Sequence, residues 1–406
     1  MKNDPEKIEI KDFDYLLPQQ RIAEFPLSKR DHSRMLIFKE GNIVDDHFYN
    51  LANHLPHGAT LVVNDTKVIE ARILFKKSTG GVIEIFCLEP FEQQIEESLS
   101  QTSRVRWQCL IGGASKWKPG QILNKNIRIA DQEILLSARF INRNIDSFVI
   151  EFSWDPPQYS FSEVLHAAGA IPLPPYIKRE ATEDDAERYQ TVFGQQYGSV
   201  AAPTSALHFT QEVFESLTTK KIEVKKITLH VGAGTFKPVK SETIVEHNMH
   251  SEPFSISLQN LKKIMNSEQL IAVGTTSLRT LESLYWIGIK MMNGKMDWNL
   301  QQWEAYELAD KFPNITASES LDSLVQWMER NHADEIRCTT SLMIIPGYDF
   351  HLPKALITNF HQPQSTLLLL ISAFIGEHWK QVYQHALDND YRFLSYGDSS
   401  LLWRID

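Results

Sequence analysis

The sequence is short of cysteine, of long apolar runs and of net positive charge, and each shortage excludes a class of protein. Its 406 residues include three cysteines, Cys87, Cys109 and Cys338, which are widely spaced. They match neither a zinc pattern nor a disulfide framework. We therefore expect small core residues in a reducing compartment.

No stretch of the chain is apolar over a length that would suggest a membrane span. Residues 366–375 form the most apolar stretch, which is about half of the ~20 residues that a bilayer requires. Residues 1–14 are charged and lack the apolar core of a secretion signal. These observations predict a buried helix at 366–375 and a soluble protein of the cytoplasm.

The formal net charge of −10 argues against a surface that binds nucleic acid everywhere. A local basic face would nevertheless suffice to contact a phosphate backbone. The segment Lys116-Trp117-Lys118 is a basic and aromatic loop tip of that kind, although an ordinary solvated surface is the alternative.

A second segment of mixed aromatic and charged residues lies near the C-terminus, at 392–398. Its Arg392, Tyr396 and Asp398 can stack on a base and form hydrogen bonds to its edge. A buried terminal strand is the alternative interpretation.

The chain has two textures, which predict two domains. Residues 73–154 carry short runs of β-forming residues separated by glycine, proline and asparagine turns, a pattern typical of a small all-β barrel or sandwich. Residues 1–72 and 155–406 carry strands that alternate with helices, a pattern typical of an α/β domain with much parallel pairing. We therefore predict a discontinuous α/β catalytic domain with an open, barrel-like mixed sheet and an inserted β-barrel domain.

A glycine loop follows a strand predicted at residues 223–231. Gly232 and Gly234 bracket a single small residue, and glycine lets a backbone lie directly against a ligand. Lys237 occupies the position of the third glycine of a dinucleotide fingerprint. The loop therefore indicates a close-fitting small-molecule site of another kind, with a tight glycine turn as the alternative.

Two further predicted strands end at Val273 and Phe360. Ligands of open α/β sheets bind at the carboxyl ends of the strands. We therefore expect the loops that follow Val231, Val273 and Phe360 to lie near one another.

Thr275 and Thr276 precede a helix predicted at 278–287. Free amides at a helix N-terminus attract a carboxylate or a phosphate, and Arg279 can add a bidentate clamp. Simple capping of the helix by threonine is the alternative.

The segment 247–252 contains His247, His250 and Glu252. The histidines lack the i, i+4 spacing and the third ligand of a zinc site, so no metal is predicted. A histidine beside a carboxylate can act as an acid or base near neutral pH. A polar loop that hydrogen bonds to its own backbone is an equally good interpretation.

His208, His230 and His361 occupy other loops at the same predicted face. Each alone is better interpreted as a structural histidine. Their joint placement favours a functional site.

The chain is similar to the S-adenosylmethionine:tRNA ribosyltransferase-isomerase family of queuosine biosynthesis. The matching segments occur in the same order from end to end: 17–34, 64–69, 71–72, 80–84, 172–177, 189–193, 201–204, 207–209, 228–236, 249–252, 272–282, 346–348, 357–361, 365–367 and 391–398. The chain departs from the family pattern at Asp65-Thr66-Lys67, Ser205-Ala206 and Cys338-Thr339-Thr340, and its stretch 290–335 is longer.

The resemblance implies a reaction in which the ribosyl part of S-adenosylmethionine moves to 7-aminomethyl-7-deazaguanine in a tRNA. The sugar is isomerised to give epoxyqueuosine, and adenine and methionine are released. S-adenosylmethionine is then a co-substrate, no metal is required, the tRNA is the partner, and we expect a monomer.

The sulfonium acidifies the hydrogens of the adjacent 5′ carbon, so a base can start this reaction. His250 with Glu252, or His230, is the candidate base, and His208 or His361 would assist the departing purine. The residues expected to hold the co-substrate are Gly232, Gly234, Thr235, Thr275, Thr276, Arg279 and Asn359. Those expected to contact tRNA are Lys116, Lys118, Arg392, Tyr396 and Asp398.

Two other functions remain open at this point. A methyltransferase acting on RNA would use the same co-substrate, but the glycine-rich turn typical of the common methyltransferase fold is absent from the early sequence. A tRNA-binding protein without catalytic activity would depend on phosphate contacts, which the net charge disfavours.

Overall fold

The computed structural model describes residues 5–77, 80–118, 120–144, 147–232 and 243–405. Within these ranges the chain forms nineteen strands and ten α-helices. None of the helices in these ranges is long and apolar enough to cross a membrane.

The larger of two main sheets is mixed and has ten strands. In spatial order these are β16 (Asn299–Leu300), β17 (Glu335–Thr340), β14 (Glu252–Ser257), β13 (Glu223–Leu229), β3 (Thr60–Asn64), β15 (Leu270–Val273), β18 (Ala355–Asn359), β19 (Ser399–Trp403), β1 (Arg34–Lys39) and β2 (Asn42–His47). The four central strands β13, β3, β15 and β18 run parallel. Strands β14 and β19 flank them in antiparallel pairs.

Strand β3 explains why the centre of this sheet is parallel and buried. All five of its residues are buried. Leu61 and Val63 belong to the apolar core on one face, whereas Val62 belongs to the core on the other. A strand covered on both faces is expected to be a continuous apolar run, as this one is.

Helices cover both faces of the large sheet. The helices of the α/β region are α3 (Glu183–Arg188), α4 (Gln211–Thr219), α5 (Leu258–Met265), α6 (Thr275–Met292), α7 (Glu304–Lys311), α8 (Ala317–Arg330), α9 (Thr366–Ile375) and α10 (His378–Asp388). Residues of α5 to α10 belong to the larger core. Helix α4 packs on the opposite face through Val213 and Leu217.

Side-chain caps set the start of two helices, α9 and α4. Ser365 Oγ accepts a hydrogen bond from the Leu368 amide at 3.2 Å, and Thr210 Oγ1 accepts one from the Val213 amide at 3.3 Å. The predicted threonine cap of α6 is wrong. Gly274 is the capping residue, with a φ of 87° that favours glycine, and the helix already begins at Thr275.

The second sheet is antiparallel and has seven strands. In spatial order these are β11 (Gly169–Ala170), β5 (Arg72–Lys76), β6 (Val82–Pro90), β7 (Arg104–Gly112), β10 (Phe148–Asp155), β9 (Gln132–Arg143) and β8 (Ile122–Ile129). The sheet curls, so that Lys125 Nζ on β8 donates to the carbonyl of Ala168, just before β11, at 2.6 Å.

The second sheet is curled and antiparallel, as the predicted β domain requires, but it is a half-barrel in the described residues. The strand order is open at β11 and β8. Two helices also take part, α1 (Ile95–Ser100) and α2 (Phe161–Ala168), and Phe161 packs with Trp107 and Phe152 in the core of the sheet. The limits of the inserted domain, 73 and 154, stay a prediction.

A short parallel pair, β4 (Thr66–Val68) and β12 (Gln196–Ser199), lies near the point where the chain enters the second sheet.

Candidate active site

Two clefts meet at Val231, two residues beyond the end of β13. The Val231 amide donates to Ser199 Oγ at 2.7 Å, and its carbonyl accepts from the Val200 amide at 3.1 Å. These bonds fix the strand end in a position where Val231 lines both clefts. We call them the wide cleft and the narrow cleft.

The wide cleft lies between the two sheets and has a volume of about 560 Å³. This is within the usual range for small-molecule sites. The second sheet and α1 contribute Glu89, Gln94, Glu96 and Gln108, and the large sheet and its loops contribute His230, Gly232, His250, Glu252 and Arg337.

His230 is held in the wide cleft by its backbone. Leu229, the residue before His230, is held by the side chain of Asn64. This side chain donates to the Leu229 carbonyl at 2.9 Å and accepts from the Leu229 amide at 3.0 Å. The His230 amide donates to the Pro253 carbonyl at 3.0 Å. Burial lowers the pKa of the His230 imidazole, which therefore favours its neutral form.

His250 lines the same cleft and is exposed. Glu89, on the wall formed by the second sheet, is close enough for the charge of His250 to stabilise its carboxylate. Desolvation within the cleft is the larger effect and raises the pKa of Glu89. Gln108 Nε2 donates to Glu89 Oε1 at 2.9 Å and orients that carboxyl group.

Glu89 was missed by the sequence reasoning because no motif surrounds it. A β-bulge between Cys87 and Glu89 shifts the register of β6 against β7. Bulges re-aim side chains in this way, but the residues themselves give no sign of it.

Glu252 and Arg279 form a buried ion pair. Arg279 Nη1 donates to Glu252 Oε2 at 2.5 Å, and Arg279 Nε donates to the Leu342 carbonyl at 3.1 Å. The two residues are only 5% and 7% exposed. The sequence predicts a pairing of Glu252 with His250; the structure shows this carboxylate bound to Arg279, and the pairing with His250 stays a prediction. The Nη2 atom of Arg279 has no hydrogen-bond partner among the described residues.

The narrow cleft lies at the carboxyl ends of the central strands and has a volume of about 80 Å³. Val231, Gly274 and His361 all line it, as the topology of an α/β sheet predicts. Thr275 and Thr276, in the first turn of α6, line it as well. In the described part of the chain, the buried Thr276 Oγ1 lacks a hydrogen-bond partner.

His208 is held on both ring nitrogens. Its Nδ1 lies 2.8 Å from Ser33 Oγ, and its Nε2 lies 3.3 Å from Asn359 Oδ1. Burial lowers the pKa of His208 to about 4. Asn359 is also bound through its amide nitrogen to the Leu394 carbonyl at 2.9 Å. These two side chains thus fix the chain around the narrow cleft.

His361 is similarly constrained. Its Nε2 lies 3.0 Å from Thr358 Oγ1, and its amide donates to the Tyr383 hydroxyl at 3.0 Å. The His361 carbonyl accepts from the Tyr15 hydroxyl. Burial lowers the pKa of its imidazole to about 3, so the ring is neutral at physiological pH.

The segments proposed for tRNA contact differ in accessibility. Lys116 and Lys118 are exposed but line neither cleft. Tyr396 is buried, and its hydroxyl donates to Asp185 Oδ1 at 2.7 Å.

Asp398 is also buried and accepts main-chain hydrogen bonds from Arg34 at 3.0 Å and Arg392 at 2.8 Å. It anchors the turn before β19 rather than presenting a carboxylate to RNA. Arg392 is half-buried at the edge of a small pit.

Gly234 and Thr235 lie outside the described residues. In the described ranges, no group of three or more histidine, cysteine, aspartate or glutamate side chains is placed to hold a metal ion.

Comparison with known proteins identifies the family. Residues 10–402 match the family described as queuosine biosynthesis protein. The S-adenosylmethionine:tRNA ribosyltransferase-isomerase of Pelobacter propionicus is 36% identical over 401 residues, which cover 97% of this chain and 99% of that protein. The protein of the same name from Nitrosomonas europaea is 37% identical over 398 residues, covering 96% and 95%.

Among solved structures, the S-adenosylmethionine tRNA ribosyltransferase of Thermotoga maritima is 26% identical, with 96% of this chain and 99% of that chain covered and a TM-score of 0.45. The match to the family extends over nearly the whole sequence. The chain belongs to the queuosine biosynthesis protein family.

Proposed function

We propose that this protein transfers the ribosyl part of S-adenosylmethionine to 7-aminomethyl-7-deazaguanine in tRNA and isomerises it, forming epoxyqueuosine. Adenine and methionine are released, and the protein acts as a monomer in the cytoplasm. The observation that carries the proposal is the match to relatives of that name over 97% of the chain.

The wide cleft is the place proposed for the chemistry. The reaction begins when a base removes a proton from the 5′ carbon next to the sulfonium. His250 is proposed as that base because it is exposed in the cleft, whereas the Glu252 carboxylate is bound to Arg279. His230 is neutral beside it and is the alternative base.

Departure of adenine requires a proton or a hydrogen bond at the purine. Glu89 is proposed for this step, because its carboxyl group lines the wide cleft and desolvation there raises its pKa. His208 and His361 suit the step less well, since both ring nitrogens of His208 and Nε2 of His361 are bound within the protein, and the pKa values of both imidazoles are low. Their proposed role is to position the strand ends.

The co-substrate is proposed to lie across the junction of the two clefts. A volume of about 80 Å³ in the narrow cleft suits the amino-acid end of S-adenosylmethionine better than its base. Its carboxylate would meet the free amides of Thr275 and Thr276 at the start of α6. The adenosine would then occupy the wide cleft beside Gly232, with Gly234 and Thr235 following in the chain.

Other predicted residues act on this arrangement indirectly. Arg279 is proposed to fix Glu252 and hence β14, and Asn359 to fix the loop after β18. Lys116, Lys118 and Arg392 are proposed to contact the tRNA backbone, with Tyr396 and Asp398 holding the turn that carries Arg392.

The test is incubation of the protein with S-adenosylmethionine and a tRNA that carries the 7-aminomethyl base. Nucleoside mass analysis should find epoxyqueuosine, with equal amounts of adenine and methionine released. Formation of S-adenosylhomocysteine and a methylated nucleoside would instead identify a methyltransferase. Binding of the tRNA without any turnover would favour a protein that only binds tRNA.

A further inference from the structure

Three arginines converge on a small pit beside the narrow cleft. Arg30, Arg188 and Arg392 line it and are each half-buried. Its volume is about 20 Å³, which is room for a group of a few atoms rather than for a base or a sugar. We call this feature the arginine pit.

Two of these guanidinium groups are held by uncharged partners. Arg30 Nη1 donates to the Gln190 carbonyl at 3.1 Å. Arg188 donates to the Leu27 carbonyl and, at 3.4 Å, to the Ser28 carbonyl. Main-chain carbonyls orient a guanidinium without neutralising it, and among the described residues neither arginine forms an ion pair with a carboxylate.

The third arginine is neutralised only in part. Arg392 Nη2 lies 3.7 Å from Asp398 Oδ1, and Nη1 donates to the Phe25 carbonyl at 3.4 Å. Asp398 already accepts the two main-chain hydrogen bonds from Arg34 and Arg392. The pit is therefore lined by three cations, and no carboxylate is among its described lining residues.

The positive charges of these arginines repel each other. Burial and the charge of Arg188 lower the pKa of Arg30, and Glu187 and Tyr396 offset this only partly. The repulsion would be relieved by an anion in the pit. A guanidinium presents paired N–H donors that match a phosphate, so the preferred anion is an oxyanion of that geometry.

The pit adjoins the candidate active site. Ser395 lines both the pit and the narrow cleft. His208 lines the pit, and its Nε2 contacts Asn359 in the wall of the narrow cleft at 3.3 Å. An anion bound here would be part of a ligand that also reaches the active site.

We propose that the arginine pit binds one backbone phosphate of the RNA substrate and so fixes the position of the nucleotide that enters the clefts. The identity of that RNA rests on the proposed function. The binding of a phosphate by these three arginines does not.

The test uses Arg30→Gln and Arg188→Gln, which remove the charge, with Arg30→Lys and Arg188→Lys, which keep it. Arg330→Gln is the matched control, because Arg330 lies on the exposed face of α8 and bonds to Gln326. Thermal melting of each variant verifies folding, and should one glutamine variant not fold, the other glutamine variant carries the test. Affinity for the tRNA is then measured between about 50 and 200 mM salt.

For each glutamine variant we expect about a tenfold loss of tRNA affinity. The salt slope, which is the slope of the logarithm of the binding constant against the logarithm of the salt concentration, should be smaller in magnitude by about one. The lysine variants should keep the slope and lose part of the affinity, and the control should match the wild type. The affinity for S-adenosylmethionine should not change. An unchanged salt slope in the glutamine variants would overturn the proposal. A loss of affinity for S-adenosylmethionine, with the affinity for tRNA kept, would overturn it as well.

Inorganic phosphate provides a second probe that needs no turnover. Titration of the wild-type protein, followed by phosphorus NMR, should give a saturable line broadening that is lost in Arg30→Gln. Phosphate binding without any effect on the tRNA salt slope would count against the pit as an RNA contact. If the wild-type protein releases no adenine, the proposed function is wrong. The salt slope still shows whether the arginine pit binds a phosphate of the RNA.

Discussion

The two clefts that meet at Val231 are built in opposite ways. Around the narrow cleft, the polar side chains of Asn359 and His361, and of His208 behind Asn359, are bound within the protein. In the wide cleft, His250 is exposed and Glu89 faces it across the space between the sheets. Histidines that looked equivalent in the sequence therefore differ in their surroundings, and we propose that only those of the wide cleft exchange protons with a substrate.

The sharpest way to break this comparison is to remove His250. We expect His250→Ala to lower the rate of adenine release about 1,000-fold, equivalent to about 4 kcal/mol, because general acid–base catalysis is lost. The melting temperature should not change, since the side chain is exposed. Chromatography of adenine measures the rate.

His247→Ala is the matched control, since His247 lies in the same loop but does not line the wide cleft. It should retain most of the activity. A wild-type rate for His250→Ala would remove this residue from the mechanism.

Substitutions in the ion pair of Glu252 and Arg279 test whether the Glu252 carboxylate, in the wall of the wide cleft, stabilises the fold or takes part in catalysis. Glu252→Gln should cost about 3 kcal/mol in the free energy of unfolding, because it leaves the buried Arg279 without its counter-charge. Adding Arg279→Met should recover much of that loss. Urea unfolding measures both effects.

The exposed pair of Arg106 with Glu151 provides the control, and Glu151→Gln should cost less than about 1 kcal/mol. If Glu252→Gln keeps its stability but loses adenine release, Glu252 is the base and the assignment to His250 is wrong.

Gly198 tests how closely the two sides of the wide cleft fit. A Cβ atom at this position would lie 2.6 Å from Ile95 Cγ1 and 2.9 Å from His230 Nδ1, with a backbone φ of 139°. Gly198→Ala should therefore displace His230 and cost about 2 kcal/mol of stability.

Gly58→Ala is the control that separates the steric clash of a new Cβ atom from the strain of a positive φ. Gly58 has a φ of 74°, but a Cβ there would meet no atom within 4 Å, so about 1 kcal/mol is expected. Equal losses of stability in the two variants, with unchanged adenine release, would mean that Gly198 does not position His230.

The smallest expected effect is a pH dependence from His208, which contacts Asn359 in the wall of the narrow cleft. His208 has a pKa lowered from 6.5 to about 4 by burial, so between these values the unfolded chain binds a proton that the folded chain does not. Its contribution to stability is complete above pH 6.5 and is lost as the pH falls toward about 4.

We expect His208→Gln to reduce the slope of unfolding free energy against pH in this window by up to about 1.4 kcal/mol per pH unit. Identical slopes for the wild type and His208→Gln would mean that folding does not lower the pKa of His208.

The elements that local chemistry specifies could be predicted from the sequence. The apolar run of β3, the caps at Thr210 and Ser365, and the ends of the central strands all follow from neighbouring residues. The parallel order then brings Val231, Gly274 and His361 to one cleft, which a general rule of α/β sheets anticipates.

Contacts between distant parts of the chain could not be predicted in this way. Glu252 meets Arg279 across strands that no local pattern connects, and Ser33 reaches His208 from 175 positions away. The wide cleft draws half of its wall from the second sheet, where Glu89 is placed by a bulge. These contacts decide which candidate side chains remain available to a substrate.

The central claim is that the sugar of S-adenosylmethionine reacts in the wide cleft. A crystal structure of the protein with S-adenosylmethionine tests it most directly. We predict the 5′ carbon within about 3.5 Å of the imidazole of His250 or His230, and the carboxylate at the start of α6. A nucleoside bound outside the wide cleft, with Gly232 and His250 untouched, would contradict the account.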